Sequence, residues 1–313
     1  MRIAVIGAGG VGGVFGGLLA RAGNDVSFVA RGEHLAAIQA GGLRVHGPWG
    51  PHTVRVHAAP EPAGLAGGAP FDAVLLCVKA GQVGEIAPRL RPLVGAETVV
   101  VPLQNGVEAA STLAGALGVG AVAGGLCHVM AWREGPGEVR TTGTPLQITV
   151  GELLGGGSPR LERLAGAIRA SGAGAVVSDD VLAATWDKFL FIDPLSSLGA
   201  ATRAPLGVMR ADPRIRRLLV ASIEEVAAVA RARGVRIGPD AVSRTVTRYD
   251  ELPATTTASM QRDVAAGRPS ELWEQTGTVV RLGAEAGVAV PIHDFLLTIL
   301  QPQEEAARGV QTG

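Results

Sequence analysis

Residues 2–22 read RIAVIGAGGVGGVFGGLLARA, and this stretch decides the fold. Residues 2–6 form a short apolar run rich in β-branched side chains, which predicts a buried strand. Glycines follow at once: Gly7, Gly9 and Gly12 fit G-x-G-x-x-G, and residues 14–22 can continue as a helix. The strand before and the helix after carry more weight than the glycine pattern itself. The first glycine permits a tight turn, the second a close approach of pyrophosphate, and the third close packing of helix on sheet. Backbone N–H groups at the helix start would then meet phosphate oxygens. Gly7, Ala8, Gly9, Gly10, Val11 and Gly12 are therefore the candidate dinucleotide loop. The plain alternative is a glycine-rich turn with no ligand.

Residues 25–30 predict the next strand and complete a β-α-β crossover. It ends at Arg31 rather than at Asp or Glu. An acid there would accept hydrogen bonds from the ribose of NAD, whereas a guanidinium can pair with the additional phosphate of NADP. The reading favours NADP(H), with an ordinary solvated arginine as the alternative. Residues 72–78 read as a buried strand with Lys79 and Gln82 just past its end, and residues 97–102 as another, followed by Gln104, Asn105 and Gly106. Open α/β sheets bind ligands beyond the carboxyl ends of their strands, so Lys79, Gln82 and Asn105 are candidate ligand contacts. A surface lysine and a turn asparagine are the bland readings.

Shorter strands are expected at residues 43–45 and 53–57, with further strand-bearing segments at 120–131, 139–141 and 147–151. Residues 160–170 have helical spacing, and 176–178 predict a last strand before longer helical patterns take over. The apolar stretch 181–199 carries Trp186, Lys188, Phe189 and Phe191. An ammonium beside such a surface would be desolvated and so prepared for proton transfer, although a lysine can also snorkel to water. Pro194 is expected to bend or end that helix. More helices are expected at 206–211, 215–232, 240–249, 260–266 and 272–286, with Gly234 and Gly287 as stops. Ser259, Asp263 and Glu271 could meet only if the chain folds back around Arg268 and Pro269, and helix capping is their plain reading.

The 313 residues are 47% hydrophobic and 18% charged, which argues against disorder and allows two domains. Basic and acidic residues cancel at 28 each, so global charge offers no nucleic-acid signal. No apolar run of 18 residues suggests a membrane span, and MRIAVIGAGG is not an export signal, making a cytoplasmic location the default. Cys77 and Cys127 are expected as reduced thiols, and the dispersed histidines do not suggest a metal set.

The ordered pieces GAGGVG at 7–12, Arg31, VKAGQ at 78–82, QNG at 104–106, WDKF at 186–189, SMQRD at 259–263 and Glu271 resemble the ketopantoate reductase (2-dehydropantoate 2-reductase) family across nearly the whole chain. The resemblance implies an α/β, Rossmann-type NADP-binding domain over residues 1–178. Behind it would lie an all-α substrate-binding domain over 179–304, like the C-terminal domain of 6-phosphogluconate dehydrogenase, and then a flexible tail at 305–313. It further implies that Gly7, Gly9 and Gly12 hold the coenzyme phosphates, and that Arg31 reads the ribose phosphate. Lys79, Gln82, Asn105, Met130 (through its backbone) and Glu271 would lie along the coenzyme. Lys188 would be the proton donor and Glu271 the active-site acid, with Asn105, Lys188, Ser196 and Ser259 on the substrate. A homodimer is compatible with it; no nucleic acid or membrane is implied.

Departures fall on the substrate side. The family pattern expects asparagines four and eight residues after the lysine, where this chain has Ile192 and Ser196, and a third is replaced by Leu206. Losing these donors should penalise a small hydroxylated acid in a closed site. The leading expectation is NADPH-dependent reduction of a small 2-oxo acid, 2-dehydropantoate first among them, in pantothenate biosynthesis. The rival expectations are another carbonyl, alcohol or imine substrate, and a noncatalytic NADPH-sensing protein.

Overall fold

The computed structural model describes residues 1–309, which divide into two compact units. The first comprises residues 1–104 and 108–181, the second 105–107 and 182 onward. In chain order the first unit contains β1 (Arg2–Ile6), α1 (Gly10–Arg21), β2 (Asp25–Val29), α2 (Gly32–Gly41), β3 (Leu43–His46), β4 (His52–Val54) and β5 (His57–Ala59). It continues with β6 (Ala73–Leu76), α3 (Val83–Ile86), β7 (Val99–Pro102), α4 (Ala109–Leu117), β8 (Ala123–Gly135), β9 (Glu138–Glu152), α5 (Pro159–Ala170) and β10 (Gly174–Val177).

One sheet has the order β5-β2-β1-β6-β7 with every pairing parallel. Alternation along its strands sorts the core. Ile3, Val5, Phe28, Leu75 and Val101 pack with Val14, Phe15 and Leu18 of α1, whereas Ala4, Ile6, Val74, Leu76 and Val100 pack with Val83, Ile86 and Leu113. Both faces are therefore covered, as a parallel sheet requires. The second sheet has the order β10-β9-β3-β4, and β8 pairs antiparallel with β9.

Several strand expectations are corrected. The single strand expected at 53–57 is two: β4 runs antiparallel to β3, and β5 joins the other sheet beside β2. The pieces expected at 139–141 and 147–151 belong to one strand, β9, whose ladder with β8 breaks register between Val129 and Ala131.

The second unit contains α6 (Val181–Thr202, whose first residue still belongs to the first unit), α7 (Leu206–Ala211), α8 (Pro213–Ala232), α9 (Ala241–Glu251), α10 (Ser259–Ala265), α11 (Thr276–Ala286) and α12 (Pro291–Ala307). Its core joins Trp186, Phe189, Leu190 and Leu198 of α6 to Ile223 and Val226 of α8, Tyr249 of α9, Leu282 of α11 and Leu296 of α12.

Pro194 does not end α6, which is continuous over 22 residues. Proline removes the N–H that Leu190 O would use and crowds the carbonyls of the preceding turn. The next carbonyl, Phe191 O, accepts the buried Tyr249 hydroxyl at 2.5 Å, a tertiary bond that anchors the helix beside the proline. Residues 272–275 form a turn ahead of α11, not the helix expected from 272. Of the tail expected at 305–313, residues 305–307 continue α12 and residues 310–313 lie outside the described residues. Among the described residues no helix is long and apolar enough to cross a membrane.

Candidate active site

The glycine loop behaves as its three positions demand. Gly7 has φ +104°, and a Cβ there would lie 3.0 Å from the backbone of Cys77. At Gly12 a Cβ would stand 2.0 Å from Gly7 O and 2.8 Å from Cys77 Cβ, so only glycine lets α1 approach β1 and β6 this closely. At Gly9, the N-cap of α1, a Cβ would meet nothing within 4 Å, and that open face is where a ligand's phosphates could come against backbone. No side chain caps α1, and its first turn carries no acid. Its leading N–H groups therefore remain available to an anion, and the dipole favours one. The cradle fits a dinucleotide pyrophosphate.

His34, which the sequence reading passed over, fixes this loop. Its buried ring accepts the Gly137 N–H at Nδ1 (2.9 Å), so Nε2 carries the proton and donates to Ala8 O at 2.8 Å. Desolvation lowers its pKa, keeping the imidazole in the neutral form that both bonds require. The only sequence signal was a histidine one turn past Arg31.

Other predicted residues of the first unit gather near the same sheet edge. Arg31 is exposed at the N-cap of α2, and its Nη2 donates to Glu61 Oε1 at 3.2 Å. Lys79 and Gln82 are exposed just beyond β6, where Gln82 Oε1 accepts the Lys79 N–H at 3.3 Å. Met130 lies half-exposed at the break in register between β8 and β9, and its neighbour Ala131 approaches Gly10, where a Cβ would sit 2.6 Å from the Ala131 carbonyl. Cys77 and Cys127 are free thiols. Desolvation, with a smaller contribution from Cys127, pushes the Cys77 thiol well above its ordinary pKa, so it stays protonated. His46, Glu134 and Glu138 bring one possible ligand atom each within 4.8 Å, but Arg140 and Arg44 are paired to those carboxylates.

In the second unit α6 carries Lys188 and Ser196, two turns apart. Lys188 is half-buried, flanked in sequence by the core residues Trp186 and Phe189. Ser196 is fully buried and its Oγ has no hydrogen-bond partner. Ser259 opens α10, which is tied to the end of α6 by Gln261 Nε2 donating to Ala204 O at 2.9 Å. Asp263 pairs with Arg268 at 2.8 Å, which leaves it a structural part in that turn. Glu271 is buried and accepts the Gln275 amide at 3.3 Å. Asn105 belongs to this unit: Val107 packs on its core, and Gly106 (φ +100°) passes so near residue 274 that a Cβ would be 3.0 Å from Glu274 O.

Two buried ionic groups brace these segments, and neither was foreseen. Asp193, next to the proline of α6, accepts Thr276 Oγ1 at 3.1 Å and faces His293 Nε2 at 2.8 Å, while His293 Nδ1 meets Glu225 at 2.6 Å. Burial alone would push this imidazole down; the Asp193 charge and the hydrogen bonds to Asp193 and Glu225 outweigh it and hold the pKa at about 9. Near Glu271, the Ser270 N–H and hydroxyl donate to buried Glu304, and Arg308 binds both Glu304 and Ser270 O. Glu305 and Arg308 are thus tied down by contacts, where fraying was expected after residue 304.

This architecture and its glycine cradle agree with comparisons to known proteins. A family model described as "Ketopantoate reductase PanE/ApbA" matches residues 3–155, and its C-terminal counterpart matches residues 180–304. The 2-dehydropantoate 2-reductase of Mycobacterium tuberculosis is 32% identical, with 95% of this chain and 96% of that protein covered. The chain belongs to the ketopantoate reductase family. Its fold is accordingly an N-terminal Rossmann-like domain followed by a helical one, and it is an oxidoreductase with an NAD(P)-binding domain.

Further relatives fit the same picture. An "Uncharacterized oxidoreductase YkpB" of Bacillus subtilis is 28% identical over 97% of this chain and 99% of its own. The solved PanE/ApbA family ketopantoate reductase of Ralstonia eutropha JMP134 superposes with a TM-score of 0.89 at 31% identity, covering 98% of this chain and 100% of that one. Within this family the departures noted in the sequence acquire a physical setting. Leu206 is completely buried in the helical core, and Ile192 packs against that core from a half-buried position.

Proposed function

We propose that the chain reduces a small 2-oxo acid with NADPH, and that 2-dehydropantoate, giving pantoate, is its substrate. The observation that carries this reading is α6, which presents a half-buried Lys188 two turns before a buried hydroxyl, Ser196, whose hydrogen-bonding capacity is unspent. When bound, the coenzyme supplies hydride to the carbonyl carbon.

The chain's own part is proton delivery and orientation. Lys188 donates a proton to the carbonyl oxygen as negative charge develops there. Ser259 and Asn105 orient the acid, and Ser196 gains in the substrate the partner it otherwise lacks. Glu271, buried at the bend ahead of α11, tunes the lysine or holds the coenzyme. Gly7 through Gly12 hold the coenzyme phosphates, Arg31 takes the ribose phosphate, and Lys79, Gln82 and the Met130 backbone line its length. Replacing Lys188 with Ala is expected to lower turnover by about 100-fold or more while NADPH affinity changes little. Equal loss of turnover and coenzyme binding, with unfolding, would overturn the assignment.

A second reading has its own observation. Leu206 and Ile192 stand where family asparagines are expected and belong to or pack on the core, so fewer polar groups serve the substrate. This favours a less hydroxylated carbonyl compound acted on by the same lysine. A panel of 2-oxo acids compared by kcat/KM separates the two: the first reading requires 2-dehydropantoate to lead the panel.

A further inference from the structure

Strand β2 ends in a cation, Arg31, but its neighbour β5 delivers an acid to the same edge. The two strands pair in parallel with Val29 opposite Ala59, and Arg31 and Glu61 each lie two residues beyond that pair. Glu61 Oε1 accepts Arg31 Nη2 at 3.2 Å, and Glu61 Oε2 accepts Arg89 Nη1 at 3.1 Å. Arg89 Nη2 in turn meets Glu85 at 3.1 Å. We infer that Glu61 sets the choice between phosphorylated and unphosphorylated coenzyme, with Arg89 as its counterweight. This rests on the reading of Arg31 as the contact for the ribose phosphate.

All these side chains are substantially exposed, so the pairs are weak and exchangeable. Arg31 spends one N–H on Glu61, and its remaining donors stay open to a phosphate. Two guanidinium groups and two carboxylates balance, so an incoming phosphate meets a neutral cluster with an acid at its centre. That acid repels a phosphate monoester, yet it is the group that accepts a hydrogen bond from a free ribose hydroxyl. Arg89, bonded to the other Glu61 oxygen, offsets part of that carboxylate's charge, which favours the phosphate. The chain thus carries at one sheet edge the determinants of both coenzymes, and their balance sets the ratio.

The test is the dissociation constant of NADPH and of NADH, without substrate, for the unaltered protein and for Glu61→Gln, Arg89→Ala and Arg31→Ala. Glu61→Gln is expected to tighten NADPH by about three- to tenfold while leaving NADH unchanged or weaker, an effect that shrinks in high salt. Arg89→Ala is expected to weaken NADPH by about threefold and spare NADH. If Glu61→Gln leaves NADPH affinity unchanged, or shifts both coenzymes equally, the inference is wrong even where Arg31→Ala still weakens NADPH selectively. If Arg31→Ala has no effect on NADPH, the ribose-phosphate reading falls and takes this inference with it.

Discussion

Gly9 and Gly12 stand three positions apart, yet they are glycine for different reasons, and two substitutions separate them. A Cβ at Gly12 would drive into Gly7 O, so Gly12→Ala should cost about 1–3 kcal/mol or more in stability, with loss of coenzyme binding following from the damaged loop. A Cβ at Gly9 meets no protein atom, so Gly9→Ala should leave the melting temperature within about 2 °C while weakening coenzyme at least tenfold. Thermal melts beside coenzyme titrations check the pair; a Gly9→Ala variant that binds coenzyme as tightly as the unaltered protein would mean that the open face is not a phosphate seat. These glycines were readable because their demand is local, set by a strand, a turn and a helix in sequence. His34 was not, because its two bonds reach Ala8 and Gly137, and the second partner is 103 residues away.

Long-range partners also explain what was misjudged about the helices. Pro194 reads locally as a break, but Tyr249 bonds the nearby Phe191 carbonyl and Asp193 beside the proline is bound to Thr276 and His293, so α6 runs on. The cluster joins α6, α8, α11 and α12, and its energetics depend on a protonated imidazole between two carboxylates. The folded-state pKa of His293, about 9, lies above the ordinary 6.5. Its stabilising contribution is therefore complete below about pH 6.5 and is lost as pH rises through about 9. Denaturant unfolding at pH 7 and pH 10 should show that loss in the unaltered protein. His293→Gln should cost about 3–5 kcal/mol at pH 7, since it strands Asp193 in the core, and should flatten the pH dependence in this range. An unchanged alkaline slope would remove His293 from the account. Helix α12, absent from the expected set, supplies His293 and Glu304; an apolar face interrupted by Pro302 hid it from pattern reading.

The order of motifs along the chain was enough to read a dinucleotide domain followed by a helical one. One assignment escaped it: the 105–107 segment leaves the first sheet and joins the helical unit, which puts Asn105 in the same body as Lys188, Ser259 and Glu271. The substrate side was legible only as departures, because Ile192, Ser196 and Leu206 say which donors are gone and not what replaces them. The reaction proposed for this chain is a lysine-assisted reduction of a 2-oxo acid by NADPH. It is tested most directly by following NADPH oxidation by purified protein on addition of 2-dehydropantoate, beside NADH, a no-substrate control and Lys188→Ala. Substrate-dependent oxidation is expected, faster with NADPH, and it should collapse in Lys188→Ala while NADPH still binds. Tight NADPH binding with no oxidation by any 2-oxo acid, or full activity in Lys188→Ala, would contradict it.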